Sequence, residues 1–560
     1  MKILLLYPNL HMMLVPSTAI GLFTSILKKN NFDVDLFDTT CYEHPATTSA
    51  EKRVETLQYR KFDPESDLDF IPIPGERLIP DFKKKINEFE PDLILVSVVE
   101  DTFLQAISLI GSIEQKNIPT VFGGVFITAA SERAIQYKEV KMLGVGEGED
   151  LVLNVAKNIR DGKSLDNIPN LWIKKNNGDI IRNNPGPLKN ISIESPDFSL
   201  FDPERFMRPM GGRIFRTLPL ETFRGCPFKC SFCNSPMQIR FSKDNSLGNF
   251  MRTKNSDIIR NNILKLIEKY NPEYFYILDD SFMSRSRQEM DDFIEMYSEF
   301  KIPFWVNTRP ETVKSEVLSG LMDVGLDRMS VGLEHGNSDY RKNVLKRNPT
   351  NEQLFEHLEI IADSGVVFSV NCIIGMVDET REMVFETIEF CRKLRGFDAI
   401  TVSIFTPYHG TELRSLAVGK NYLDDSVLTT HTTSSSLLNM PFFNSEEIDG
   451  IFRTFIMYTR FEKELWPDIK KAEKFDKQGN NAWKKLYYLY QNRYYSTDQD
   501  GEKIESQIPD DVTIKHPKGD DWEEVFGEMS KTQLRKIKVS IHSDIIYCGY
   551  CFHTFICSVE

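Results

Sequence analysis

The 560-residue sequence predicts an α/β protein: a doubly wound parallel sheet, a second run of strand–helix repeats, and a mostly helical carboxyl-terminal region. Three observations predict it. Short apolar, β-rich runs alternate with segments of helical period through the first 160 residues. The alternation resumes beyond residue 215 with six further repeats. After residue 410, apolar and aromatic residues recur at helical spacing. The length suits about three or four domains.

In the first unit, residues 2–7, 33–37, 92–98, 119–122 and 141–143 read as strands. Ser17 is placed to cap a helix carrying Leu22, Phe23, Ile26 and Leu27 on one side. Residues 82–89, 102–115, 128–136 and 150–159 also have helical period. Strands alternating with helices require right-handed crossovers, hence a parallel sheet covered on both faces. Five strands fit a flavodoxin-like (Rossmann-like) domain over residues 1–160. Ligands in such sheets gather at the carboxyl ends of the strands. Those ends carry Ser97, then Gly123 and Gly124 with Thr128 close behind, and a turn containing Gly146 and Glu147. Glycine lets a bulky ligand approach the backbone, and it also makes plain tight turns; both readings stand. No G-x-G-x-x-G follows strand one, which disfavours a dinucleotide. Residues 161–215 are dense in Asn-Gly and Pro-Gly-Pro punctuation and read as a linker with a small hairpin.

The second unit opens on Arg224-Gly225-Cys226-Pro227-Phe228-Lys229-Cys230-Ser231-Phe232-Cys233, which spaces three thiols as C-x3-C-x2-C. Three thiolates on one loop hold three corners of a [4Fe–4S] cube and leave the fourth iron open to substrate. A zinc knuckle is the other reading, although zinc sites favour C-x2-C pairs and four ligands, and no fourth Cys or His lies nearby. Strand-like runs follow at 274–278, 304–307, 328–332, 367–374 and 399–405. Helical runs lie between them, one starting near Asp257 and another capped by Asn351 with Leu354, Leu358 and Ile361 on one face.

The cysteine spacing, with aromatic Phe232 before the last thiol, resembles the cluster loop of the radical S-adenosylmethionine enzymes. The resemblance implies that residues 216–410 form a partial (β/α)6 barrel with catalytic groups at the strand ends. It implies that Cys226, Cys230 and Cys233 ligate the cluster. Asp279 or Asp280 would then receive the ammonium of the methionine moiety, and Glu334 would lie near the ribose or methionine. Asn371, Ser369 and the turn at Gly375 would meet the nucleoside. His335 stands where related enzymes have Ser, and the Gly375 turn lacks the usual proline. Arg309 is placed to meet a carboxylate but reads as a surface arginine. Cys372 and Cys391 read as buried core thiols.

A doubly wound domain ahead of such a barrel resembles the cobalamin-binding class of the superfamily, over roughly residues 1–410. Within that class Gly123, Gly124, Gly146 and Glu147 match loops near the corrin, and Ser97 and Thr128 are polar partners for its nucleotide tail. The D-x-H-x-x-G motif is absent and His11 has no matching Asp or Gly, so cobalamin is expected without a protein histidine on cobalt.

The last region, 411–560, reads as helices near 446–463 and 482–491, with Phe452, Phe455, Ile456 and Tyr458 packing onto the barrel. Polar loops follow over 492–518. Cys548, Cys551 and Cys557 are a second metal site or ordinary reduced thiols.

The resemblance implies a methyltransferase that cleaves S-adenosylmethionine to a 5′-deoxyadenosyl radical and methylates an unactivated carbon of a small molecule. An external one-electron reductant of flavodoxin or ferredoxin type would supply the electron. The alternatives are a radical cyclisation, ring contraction or methylthiolation, and a non-catalytic corrinoid-binding or metal-sensing protein. Acidic residues number 82 against 68 basic, a net charge of −14, which argues against a nucleic-acid partner. No apolar run approaches the ~20 residues that cross a bilayer, and the apolar start ending at Pro8 reads as a first strand rather than a signal peptide. Nine cysteines, six of them in two tight clusters, point to metal binding in a reducing cytoplasm.

Overall fold

The computed structural model describes residues 1–43, 49–60, 72–192, 194–429 and 435–495. The predicted second thiol group (Cys548, Cys551, Cys557) and almost all of the 492–518 stretch lie outside the described residues.

β1 (Lys2–Tyr7) is apolar on both faces and buried along nearly its whole length, as a central parallel strand must be. It pairs in parallel with β2 (Asp33–Asp38) and β3 (Leu93–Ser97). β4 (Thr120–Gly123) and β5 (Met142–Gly144) extend the same sheet, giving the order β2-β1-β3-β4-β5. Ser17 caps the first helix, Thr18–Lys29, by accepting from the Ile20 amide. The expected helix 102–115 begins two residues earlier and stops sooner, at Glu100–Gly111, with a 3-10 turn beyond it. The expected helix 128–136 is two short helices, Val125–Ala129 and Ser131–Ala134.

The 161–215 stretch does more than link. Its hairpin, β6 (Leu171–Lys174) and β7 (Ile180–Arg182), continues the first sheet antiparallel to β5. A second hairpin from β8 (Met207–Met210) to β9 (Arg213–Leu220) opens the second sheet.

That second sheet runs β16-β15-β14-β13-β12-β9-β8. β12 (Tyr274–Ile277), β13 (Phe304–Thr308), β14 (Leu326–Glu334), β15 (Val367–Ile374) and β16 (Ala399–Ile404) join β9 as six parallel strands. A short ribbon, β10 (Phe223–Arg224) with β11 (Arg252–Thr253), stands at the carboxyl end of β9. Val306, Val331, Val370 and Val402 join the core beneath the helices. By strand alternation, Asn307, Ser330, Ser369, Asn371 and Thr401 take the other face. There Ser330 and Ser369 share a 2.7 Å hydrogen bond and the Thr401 hydroxyl donates to Asn371 Oδ1 at 2.6 Å. The helix over residues 351–364 is capped by Thr350 in a capping box with Gln353, not by Asn351, which is its first helical residue.

Strand β16 is an edge, and two neighbours cover it. Gln58 Oε1 accepts from the Val402 amide at 2.8 Å, and Arg53 Nη2 donates to Ser403 Oγ at 3.1 Å. Both residues belong to the segment between β2 and β3, so the first domain reaches across to the barrel. Helix Ser445–Arg460 packs on β16 and on Arg381–Arg392, burying Phe452, Phe455, Ile456 and Tyr458 as expected. The last described helix, Lys477–Tyr494, is longer than its predicted 482–491 core.

Candidate active site

The loop from Cys226 to Cys233 hangs at the carboxyl end of the barrel and is pinned on both flanks. Ser231 Oγ donates to the Val344 carbonyl at 2.6 Å, and the Leu413 amide donates to the Ser231 carbonyl at 2.9 Å. Helix Ser235–Asp244 starts directly after Cys233, aiming its positive end at the loop. Phe232 is buried in the core beside Ile373 and Ser403.

Burial pushes the Cys226 thiol up to about 12 and raises Cys230 and Cys233 as well. Cys226 feels the charge of Cys230, and Cys233 feels both of the others, so the three share one locality. Among the described residues, no group of three His, Cys, Asp or Glu side chains is arranged to hold a single metal ion. A buried neutral thiol gives up its proton when metal replaces it. Two donors already face the sulfurs: the Ser235 amide lies 3.4 Å from Cys233 Sγ, and Arg309 Nη1 lies 3.8 Å from Cys230 Sγ. These features fit a thiolate-held iron–sulfur cluster, whose negative sulfurs take such donors.

Arg309 therefore departs from its surface expectation. It is 8% exposed, with its guanidinium 3.8 Å over the Phe228 ring and an ion pair to Glu311. Asp279 also departs from expectation. Its carboxylate accepts from the Thr222 and Phe223 amides at 2.9 and 3.0 Å, from the Thr222 hydroxyl, and from Arg285. It anchors the stem of the thiol loop and has no capacity left for an ammonium. Asp280 remains, near enough to Cys226 and Cys233 for its charge to disfavour their ionisation.

Glu334 sits where β14 is irregular, with φ +68°. Arg347 Nη1 donates to its Oε1 at 3.0 Å, while its buried Oε2 has no partner. Burial pushes this carboxyl up to about 7 against the pull of Arg347 and Arg309. His335, in the Ser position of the resemblance, is fully buried against Glu379 at 2.9 Å and is committed to that structural pair. Glu379 Oε2 also accepts from the Met376 amide at 3.0 Å and from that of Gly375, whose φ is +75°. Asn371 keeps a buried Nδ2 without a partner. Cys372 and Cys391 are buried as expected, with their sulfurs 3.7 Å apart.

The first domain presents a pocket to the same region. Ser97, Gly123, Gly124, Gly146 and Glu147 all line it, together with Arg224 from the stem of the thiol loop. A Cβ on Gly123 would meet only the Val96 carbonyl, at 3.9 Å, so that side of the backbone is open. A Cβ on Gly124, at φ +116°, would stand 2.1 Å from the Val98 carbonyl, so its glycine serves the turn itself. Thr128 is a step back from the pocket and accepts from the Gly146 amide at 2.9 Å. The Glu147 carboxylate is taken by Arg224, Arg252 and the Lys189 amide. His11 lies instead near Tyr42 and Thr40, beside β2.

Sequence reasoning missed the arginines: Arg224, Arg285 and Arg347. The only signal was Arg224 beside Gly225-Cys226, which composition cannot separate from a surface cation. Glu100, buried just beyond β3 at the start of the next helix, receives the His409 ring Nδ1 at 2.7 Å and the Thr429 amide at 2.9 Å.

Residues 220–391 match the family model described as the radical SAM superfamily. The chain is 26% identical over 418 residues to an uncharacterised methyltransferase of Pyrococcus horikoshii, covering 72% of this chain and 87% of that one. It is 24% identical over 363 residues to the anaerobic magnesium-protoporphyrin IX monomethyl ester cyclase of Rubrivivax gelatinosus, covering 62% of each. Its fold is similar to that of the cobalamin-dependent S-adenosylmethionine radical enzyme OxsB, with TM-score 0.59 and 14% identity over 97% of this chain and 82% of that one. No described helix is long and apolar enough to cross a membrane. The thiol loop and most of the open barrel thus fall within the stretch, residues 220–391, that carries the radical S-adenosylmethionine domain, and with the flanking doubly wound sheet the whole fold is similar to that of OxsB.

Proposed function

We propose that the chain is a cobalamin-dependent radical S-adenosylmethionine methyltransferase acting on an unactivated carbon of a small molecule. The observation that carries it is the meeting of two sites. Three thiols on one loop, Cys230 buried and Cys226 and Cys233 half-buried, adjoin, through Arg224, a glycine-lined pocket at the strand ends of a doubly wound domain. Cys226, Cys230 and Cys233 would hold a [4Fe–4S] cluster, and Ser97, Gly123, Gly124 and the Gly146 turn would cradle the corrinoid. When bound, these groups supply the electron that cleaves S-adenosylmethionine and the methyl that is transferred.

The protein's own share is placement. Asp280 receives the ammonium of S-adenosylmethionine, and the unpartnered Oε2 of Glu334 accepts from its hydroxyl or ammonium groups. Asn371 Nδ2 donates to the nucleoside. Arg309 steadies the charge at Cys230. The walls from Gln58, Arg53 and helix Ser445–Arg460 close the side of the barrel against water. An external low-potential reductant supplies electrons in a reducing, cytoplasmic setting.

The second reading is a radical enzyme that cyclises or rearranges without methyl transfer, favoured by the likeness to the cyclase. Anaerobic protein, reconstituted with iron, sulfide and hydroxocobalamin, is given S-adenosylmethionine bearing a trideuterated methyl group and a reductant. Release of 5′-deoxyadenosine together with deuterated methyl on cobalamin or on product supports methyl transfer. Nucleoside release with no label moved supports the second reading, and no 5′-deoxyadenosine at all refutes both.

A further inference from the structure

Arg224 stands two residues ahead of Cys226 and belongs to both sites. Its side chain is 2% exposed. Nη1 donates to Glu147 Oε1 and to Glu149 Oε1, each at 2.9 Å, and Nε donates to Glu221 Oε1 at 2.8 Å. Lys254 completes Glu221 at 2.9 Å, and Arg252 completes Glu147. Three cations and three carboxylates thus neutralise one another largely withdrawn from water. An arrangement of this kind is over-determined, because displacing one member strands a partner's buried charge. Glu147 and Glu149 belong to the glycine turn after β5, and with Arg224 they form one wall of the first-domain pocket. On its other side Arg224 has no slack. Gly225 follows at φ +99°, where an added Cβ would stand 3.1 Å from the Phe250 ring and 3.3 Å from the Met251 backbone, and Cys226 comes next.

We infer that Arg224 is a positioning residue that couples the two sites. A corrinoid seated against the Glu147–Glu149 wall and a cluster assembled on the Cys226 loop require the same placement of one guanidinium, so each tightens the other. The inference rests on the functional reading above. Coupling of this kind is reciprocal and reads out as a ratio of affinities.

The test measures the hydroxocobalamin dissociation constant of the full chain by absorbance, anaerobically, before and after iron–sulfide reconstitution. The wild type is expected to bind at least about fivefold more tightly once the cluster is present. Arg224→Lys keeps the charge but loses the fork that spans three carboxylates, and it brings that ratio towards one while iron content is retained. Glu149→Gln loosens the same fork without touching the thiol loop, and lowers the ratio even where Arg224→Lys does not fold. A purely structural role would weaken both affinities together and leave their ratio alone. A ratio unchanged in the folded variants overturns the inference. A wild-type ratio of one overturns it too, with the functional reading intact, whereas a wild type that never retains corrinoid removes both.

Discussion

At the scale of single residues, the site is a set of buried charges whose placement decides their chemistry. Arg309 is the clearest case: a cation held over Phe228 and against Cys230 favours the reduced, more negative state of whatever those thiols bind. Arg309→Gln is expected to make the cluster's midpoint potential more negative. Losing about 1 kcal/mol of interaction corresponds to roughly 40 mV for one electron, measurable by dye-coupled titration followed by electron paramagnetic resonance. A potential that stays put or rises contradicts this role. Asp101 gives a pH signature. Burial pushes its carboxyl up to about 7, reinforced by the negative charge of Glu100 and opposed by the Tyr408 hydroxyl that donates to it at 2.9 Å. The folded protein therefore holds this proton more tightly than the unfolded chain does. Its contribution is complete below the ordinary value near 4 and is lost as pH rises towards 7. Asp101→Asn should flatten the fall of Tm between those limits, recovering on the order of 1–4 kcal/mol at neutral pH. Glu334, raised the same way, leaves a residual slope in the variant. Calorimetry across pH 4–8 checks it, and an unchanged slope rejects the assignment.

Elements show what the chain makes legible and what it hides. The parallel strands of the first sheet were readable because a strand buried on two faces must be a near-continuous apolar run, and those of the second because apolar, β-branched or aromatic residues recur on one face of each. Residues 367–374 matched their strand end to end. The thiol loop was readable because its spacing alone is informative. Helix boundaries slipped where capping chemistry competed: Thr350 rather than Asn351 caps its helix because Gln353 completes a capping box. The buried arginines were invisible, since an Arg that closes a network at Glu147, Asp279 or Glu334 has the same sequence signature as one in water. The short segment around Arg53 and Gln58 was equally unreadable, because its partner lies 344 residues away. Two substitutions test these elements. Gly225→Ala adds a Cβ in a left-handed conformation against Phe250 and Met251, so it should lower Tm by several degrees and reduce iron loading. Gln58→Leu removes the acceptor of the Val402 amide and should cost about 1–3 kcal/mol in denaturant unfolding. A neutral result there means that another acceptor takes over the edge.

At the scale of the whole molecule, withdrawn ionic pairs tie the first sheet's segments to the rest of the chain, alongside an apolar cluster that contains residues of both sheets. Asp38 with Arg205, Glu100 with His409, and Glu147 and Glu149 with Arg224 are all largely withdrawn from solvent. Such pairs are screened little by salt. Moderate ionic strength is therefore expected to leave the hydrogen-exchange protection of residues 144–149 and 222–226 unchanged. A marked loss of protection at high salt would mean that the interface is held by exposed charges instead.

The covering of β16 by Gln58 and Arg53 bears on how the polypeptide is made. The amino-terminal sheet leaves the ribosome first and can form from its own strands, whereas the barrel's last strand emerges some hundreds of residues later with one row of amides unpaired. The earlier domain thus waits as a ready-made template for the final strand. A barrel synthesised without it would offer that row to a neighbouring nascent chain, which makes the order of translation part of this fold's protection against aggregation.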